Sequence, residues 1–176
     1  MKRLLLAAML SLAAALPAAA QTVIVVRHAE KVDASADPAL SEAGQARARA
    51  LAALLADRPL TMIVRTPLQR TGLTAQFLTG AGVDGRRPSV AVTPLEGWTV
   101  PQHAQMIARL VREQSPDATV LIVGHSNTVP LIARALGYRE AADMPDCEYD
   151  RMTVLNLNDG ETRGEVSRFG EPSICP

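Results

Sequence analysis

From residue 22 to residue 169, short β-branched runs alternate with stretches whose apolar side chains recur three and four positions apart. Thr22 to Val26 predicts a buried strand that stops at the polar run Arg27-His28-Ala29-Glu30-Lys31. Ser41 predicts a helix N-cap, Glu42 suits the positive end of the helix dipole, and Ala46, Ala50, Leu51, Leu54 and Leu55 form the expected apolar stripe, ended before Pro59. Thr61 to Val64 predicts a second strand, and Thr66-Pro67 the cap and first position of a second helix stopping near Gly80. A surface loop from Gly80 to Pro88 precedes a third strand at Val90 to Val92. Thr99 and Pro101 open a third helix with Met106, Ile107, Leu110 and Val111 inward, closed before Pro116. Ala118 to Val123, the clearest buried-strand pattern of the chain, leads through Gly124-His125-Ser126-Asn127 into a fourth helix, with Pro130 in its first turn and Gly137 as its cap. Met152 to Leu157 and Glu165 to Phe169, separated by Asn158-Asp159-Gly160, predict a closing hairpin with a loop longer than two residues.

Strands alternating with helices predict an α/β fold, a three-layer α/β/α sandwich around a mostly parallel central sheet. The chain has 176 residues, 48% of them hydrophobic, which suits one domain with one core. Lys and Arg total 18, as do Asp and Glu, so bulk charge supports neither nucleic acid nor an anionic membrane as partner, and any anion site must be local.

The first twenty residues have another pattern. Lys2 and Arg3 precede an apolar run from Leu4 to Leu16, then Pro17 and Ala18-Ala19-Ala20, the three parts of a secretory signal peptide cleaved before Gln21. The run is short for a membrane anchor, which needs roughly 20 apolar residues. The expectation is a signal peptide at 1–20 and one domain at 21–176, without a membrane span in the mature protein, exported to the periplasm or secreted. In an oxidising compartment Cys147 and Cys175 can form a disulfide tying the tail to the body; two unpaired thiols are the alternative. Neither lies in a zinc-like spacing.

Parallel strands place their exits along one edge, where such sheets build sites. Arg27 and His28 follow the first strand, Arg65 and Arg70 the second, and Gly124-His125 the long buried one. Crowded histidines and arginines need an anion, and the planar fork of arginine matches phosphate oxygens. Backbone N–H groups after Asn127 would point at the same anion.

Arg27-His28-Ala29-Glu30 resembles the R-H-[GA]-E signature of the histidine phosphatase superfamily, in its phosphoglycerate mutase-like branch; Gly124-His125-Ser126 is similar to the second histidine motif, and Thr66-Pro67-Leu68-Gln69-Arg70-Thr71 to the middle motif that supplies a phosphate-binding arginine. The resemblance runs from about Val23 to Ala135. It implies a phosphoglycerate mutase-like fold and a metal-independent phosphomonoesterase. His28 would be the nucleophile, and Arg27, Arg70 and a protonated His125 would hold the phosphoryl oxygens. It also implies an acid after the third strand to protonate the leaving group, which fits Glu96, with His103 as a second choice for that task. Glu30 would orient Arg27 or form an ordinary ion pair, and Arg65, outside the first ring of contacts, would extend the pocket toward a second anionic group. No cofactor and no metal are expected.

Two other readings use the same residues. A zinc hydrolase would take His28, His103 and His125 as ligands, although the neighbouring arginines repel a dication. A non-catalytic receptor for phosphate or a phosphoester would need every pocket residue for binding alone. Mutase activity fits export poorly. The expected substrate is a phosphorylated small molecule, an envelope sugar or a phosphoprotein. Short loops at Gly80 to Pro88 and Val100 to Gln105 predict an open pocket, unless the tail from Gly137 to Asp150 folds over its mouth and brings Glu148-Tyr149-Asp150 to it.

Overall fold

The computed structural model describes residues 20–78, 88–158 and 160–175. The expected signal peptide up to Ala19 and nearly all of the expected 80–88 loop lie outside the described residues. In chain order the elements are β1 (Gln21–Arg27), α1 (Glu42–Leu54), β2 (Met62–Arg65), α2 (Gln69–Ala75), β3 (Ser89–Ala91), α3 (Val100–Arg112), β4 (Thr119–Gly124), α4 (Val129–Ala135), β5 (Arg151–Asn158) and β6 (Glu161–Arg168).

The strands form one six-stranded sheet in the order β3-β2-β4-β1-β5-β6. The first four are parallel, and β5 and β6 run antiparallel at one edge. Side chains alternate across the sheet, so each long central strand feeds two cores. Val23, Val25, Val120 and Ile122 pack with Ile107 and Val111 of α3 and Ile132 of α4 on one face. On the other, Ile24, Val26, Leu121 and Val123 pack with Leu51 of α1 and Leu55 just beyond it. This is the three-layer α/β/α arrangement with a mostly parallel centre.

Several local expectations are corrected. The buried face of α1 is Gly44, Arg47, Ala48 and Leu51, whereas Ala46 and Leu54 are exposed. Leu51 and Leu55 of the expected stripe are buried, and Arg47 shares their side of the helix by turning inward to Glu30 and the Phe169 carbonyl. The second helix begins only at Gln69 and ends by Ala75; the turn holding Thr66 precedes it, and Leu68 is its N-cap. Val100 to Gln105 is not a loop but the first turns of α3, closed at its start by a capping box of Thr99 and Gln102. The hairpin pairs Asn158 with Glu161, so two residues connect its strands, fewer than expected.

The register sets up the chemistry. Arg27 pairs with Gly124 at the ends of β1 and β4, and the His28 N–H extends the ladder by donating to the Gly124 carbonyl at 2.9 Å. The residues that follow these strands therefore leave the sheet side by side. Helix α1 closes over the β1 exit so tightly that a Cβ at Gly44 would meet the Glu30 carbonyl oxygen at 2.2 Å, a contact only glycine avoids.

Candidate active site

The exits of β1, β2 and β4 open into a cavity of about 860 Å³ lined by Arg27, His28, Arg70 and His125, among others. Residues 97 positions apart in the chain thus meet: the rings of His28 and His125 lie edge to face with centroids 5.2 Å apart. His28 is almost fully buried. Its Nδ1 lies 2.7 Å from the Ala29 carbonyl, which can only accept, so Nδ1 carries the proton and the lone pair is left on Nε2. Burial, and next to it the charges of the neighbouring cations, push the His28 pKa down from 6.5 to about 3, which keeps the imidazole neutral.

His125 is tied to the β2–α2 turn. Thr71 Oγ1 lies 2.9 Å and 2.8 Å from the carbonyls of Thr66 and Leu68, and its one proton goes to one of them. In the 3.1 Å contact between the two hydroxyls Thr66 is therefore the donor, and Thr66 Oγ1 accepts from His125 Nε2 at 3.1 Å. Burial, then Arg70 and Arg27, push the His125 pKa down to about 4. The expected protonated His125 meets two arginines close by, which make a third positive charge unfavourable.

Arg27 is 4% exposed. Its Nη1 donates to the carbonyls of Pro145, Asp146 and Glu148 at 3.2, 2.7 and 3.1 Å, and its guanidinium lies 4.0 Å from the Tyr149 ring centroid. Nη2 is 3.6 Å from Asp146 Oδ1, while Nε is buried with no partner. Arg70 reaches the Ala36 carbonyl at 3.3 Å through Nη1, and its Nε is likewise buried and unpartnered. A buried donor without an acceptor is costly, and each of the two arginines lining this cavity keeps one.

The other sequence candidates separate. Glu96 does not join this group. It sits in an exposed turn closed by Trp98 N–H donating to the Leu95 carbonyl at 3.0 Å, and Gly97, at φ +78°, swings the chain so that Trp98 lines the cavity while Glu96 faces away. His103 does line it, buried at 3% exposure with neither ring nitrogen hydrogen-bonded, and burial lowers its pKa. Arg65 braces the β2–α2 turn through the Thr66 carbonyl and Ser89 and is absent from the lining. Glu30 turns away from Arg27 and holds Arg47, whose Nε and Nη2 approach its carboxylate at 2.7 to 3.0 Å. The tail folds against the site: Met144 and Asp146 line the cavity, whereas Glu148 and Asp150 are buried in ion pairs with Arg151 and Arg168.

Sequence reasoning missed Asp146, Lys31 and Thr66 as parts of this cavity. Thr66 was legible as a cap and motif member only. Asp146 had one signal, its place beside Cys147. That cysteine is bridged to Cys175, which anchors the segment whose carbonyls hold Arg27. Among the described residues no group of three or more His, Cys, Asp or Glu is disposed to hold a metal ion, and no helix is long and apolar enough to cross a membrane.

Residues 23–89 match the model of the histidine phosphatase superfamily (branch 1). No curated protein sequence matches the chain. Among solved structures, YhfR of Bacillus stearothermophilus superposes with a TM-score of 0.62 at 18% identity, over 84% of this chain and 96% of that one. Mycobacterial glucosyl-3-phosphoglycerate phosphatase in complex with VO3 gives 0.59 at 20% identity, over 84% and 98%. The putative phosphohistidine phosphatase SixA of Nakamurella multipartita gives 0.59 at 21% identity, over 89% and 98%. At these identities the likeness is one of fold.

Proposed function

We propose that this chain, which belongs to the histidine phosphatase superfamily, hydrolyses a phosphomonoester through a phosphohistidine on His28, outside the cytoplasm and with no metal taking part. The observation that carries the reading is the neutral His28, its lone pair on Nε2, gathered with His125, Arg27 and Arg70 around one cavity.

The chemistry follows from these groups. His28 Nε2 attacks phosphorus, the bond from phosphorus to the ester oxygen breaks, and water then cleaves the N–P bond to give phosphate and restore the imidazole. Arg27 and Arg70 face the equatorial oxygens, whose charge they stabilise without rearranging, because each guanidinium is already fixed by backbone carbonyls. A bound phosphate dianion raises the His125 pKa and favours its protonated form. The cationic cluster makes a zinc site the poorer use of the same histidines.

Export is supported by the leader pattern of residues 1–20 and by the Cys147–Cys175 bridge, which persists in an oxidising compartment. N-terminal sequencing of the protein secreted by its host is expected to begin at Gln21. For catalysis, wild type and His28→Ala are compared on a panel of phosphoesters. Wild type is expected to release phosphate and, on rapid quenching, to yield an acid-labile phosphoprotein; His28→Ala should give neither. A wild type that binds phosphoester but yields neither product is a receptor, and the catalytic reading is then wrong.

A further inference from the structure

The cavity is much larger than a phosphoryl group requires, and its lining beyond the histidines and arginines has its own chemistry. Trp98, the only tryptophan, lines it while remaining 36% exposed, and Val100 beside it is 38% exposed. Pro67, Leu68, Pro94 and Met144 continue the apolar wall. The turn at Leu95 to Trp98 that sends Glu96 outward is what brings the indole inward. An exposed indole costs free energy unless a ligand covers it, and aromatic faces favour other rings.

Apart from His125, which is assigned above to the phosphoryl oxygens and is tied to Thr66 through Nε2, the described lining is poor in proton donors. Asp146 is the one carboxylate in the described lining; its bond from Ser126 Oγ and then Arg27 hold its pKa below the usual carboxylate range, so it stays ionised. His103 is neutral through burial, and Glu96 is outside. Asp146 also adds a negative charge to the lining, which disfavours a second anionic group on the substrate. Lys31, the lone cation outside the phosphate cluster in this lining, is exposed and its charge is well hydrated.

Resting on the phosphatase reading above, we propose that the substrate is an aryl phosphate: a phosphorylated phenolic ring that stacks on Trp98 and departs as a phenolate without a general acid. His28 Nε2 forms the N–P bond as the P–O bond to the ring breaks. The bonding pair leaves on the phenolate oxygen, which takes its proton from solvent. Water adds to phosphorus in the second step, and the N–P pair returns to Nε2.

The test is kcat/KM on ring-substituted phenyl phosphates of graded leaving-group pKa, with benzyl phosphate and glycerol 1-phosphate as alkyl esters with and without a ring. Without a proton donor, kcat/KM falls steadily along the phenyl series, and both alkyl esters lie about 100-fold or more below phenyl phosphate, the contribution a general acid would make. Trp98→Ala is expected to raise KM for phenyl and benzyl phosphate about tenfold more than for glycerol 1-phosphate, and Trp98→Phe to restore most of it. A flat dependence on leaving-group pKa overturns the proposal, as does a slope that steepens in Asp146→Asn, which would make Asp146 the donor. Equal effects of Trp98→Ala on ring and non-ring esters also overturn it. Equal turnover of every ester by wild type removes this inference alone, whereas no turnover of any removes the phosphatase reading itself.

Discussion

His125 owes its orientation to two hydroxyls. Thr71 fills a backbone carbonyl, which commits the Thr66 hydroxyl to donate to Thr71 and leaves Thr66 Oγ1 to accept from His125 Nε2. Neither threonine reaches the reacting atoms through this relay, so Thr66 is a positioning residue. Thr66→Val keeps the shape and removes the acceptor. It is expected to lower kcat about tenfold, the value of one hydrogen bond, with Thr66→Ser retaining most of the activity and both variants melting near wild type. Wild-type kinetics in Thr66→Val would show that the ring is held by packing alone. At this scale the two histidines and the arginines Arg27 and Arg70 were legible in the sequence, because their motifs are local. Glu96 was misplaced because the direction of a turn depends on Gly97 adopting a positive φ, which residue types alone leave open.

The segment between α4 and β5 carries little regular structure yet fixes the most buried cation of the site. Its Pro145, Asp146 and Glu148 carbonyls surround Arg27 Nη1, and its Tyr149 ring lies under the guanidinium. Three ties hold it: the Cys147–Cys175 bridge, hydrogen bonds of the Tyr149 and Asp150 N–H groups to Ser173 Oγ, and the pairing of Glu148 and Asp150 with Arg168. Cys175→Ser is expected to cost about 3 kcal/mol of stability, measured by denaturant titration, and to raise KM, because the carbonyls that fix Arg27 lose their anchor. Unchanged KM at reduced stability would mean that the bridge serves the fold only. Helices and strands of this chain announce themselves by period; this segment does not, since its work is done by backbone carbonyls that any residue type supplies.

Over the whole molecule the formal charge is zero, so the positive field of the cavity is made by placement and not by composition. Placement also stores a pH dependence. His28 and His125 are neutral in the fold, with pKa values of about 3 and about 4 against 6.5 for an ordinary histidine. Below pH 6.5 the unfolded chain takes up protons that the folded chain refuses. Stability is therefore complete above that pH and is lost as pH falls toward the folded values. Thermal melts are expected to drop between about pH 6.5 and pH 4, and less steeply in His28→Asn; an equal slope in that variant would place the acid sensitivity elsewhere.

The alternation of strand and helix and the local histidine and arginine motifs were determined by the sequence, because period and cap chemistry act between near neighbours. What only the tertiary structure decided is which of those residues face one cavity. The pairing of Arg27 with Gly124 across β1 and β4 brings the two histidines together, Gly97 exchanges Glu96 for Trp98, and the bridged tail supplies Asp146 and the carbonyls around Arg27. These depend on contacts between positions distant in the chain, where local pattern carries no information about direction or distance.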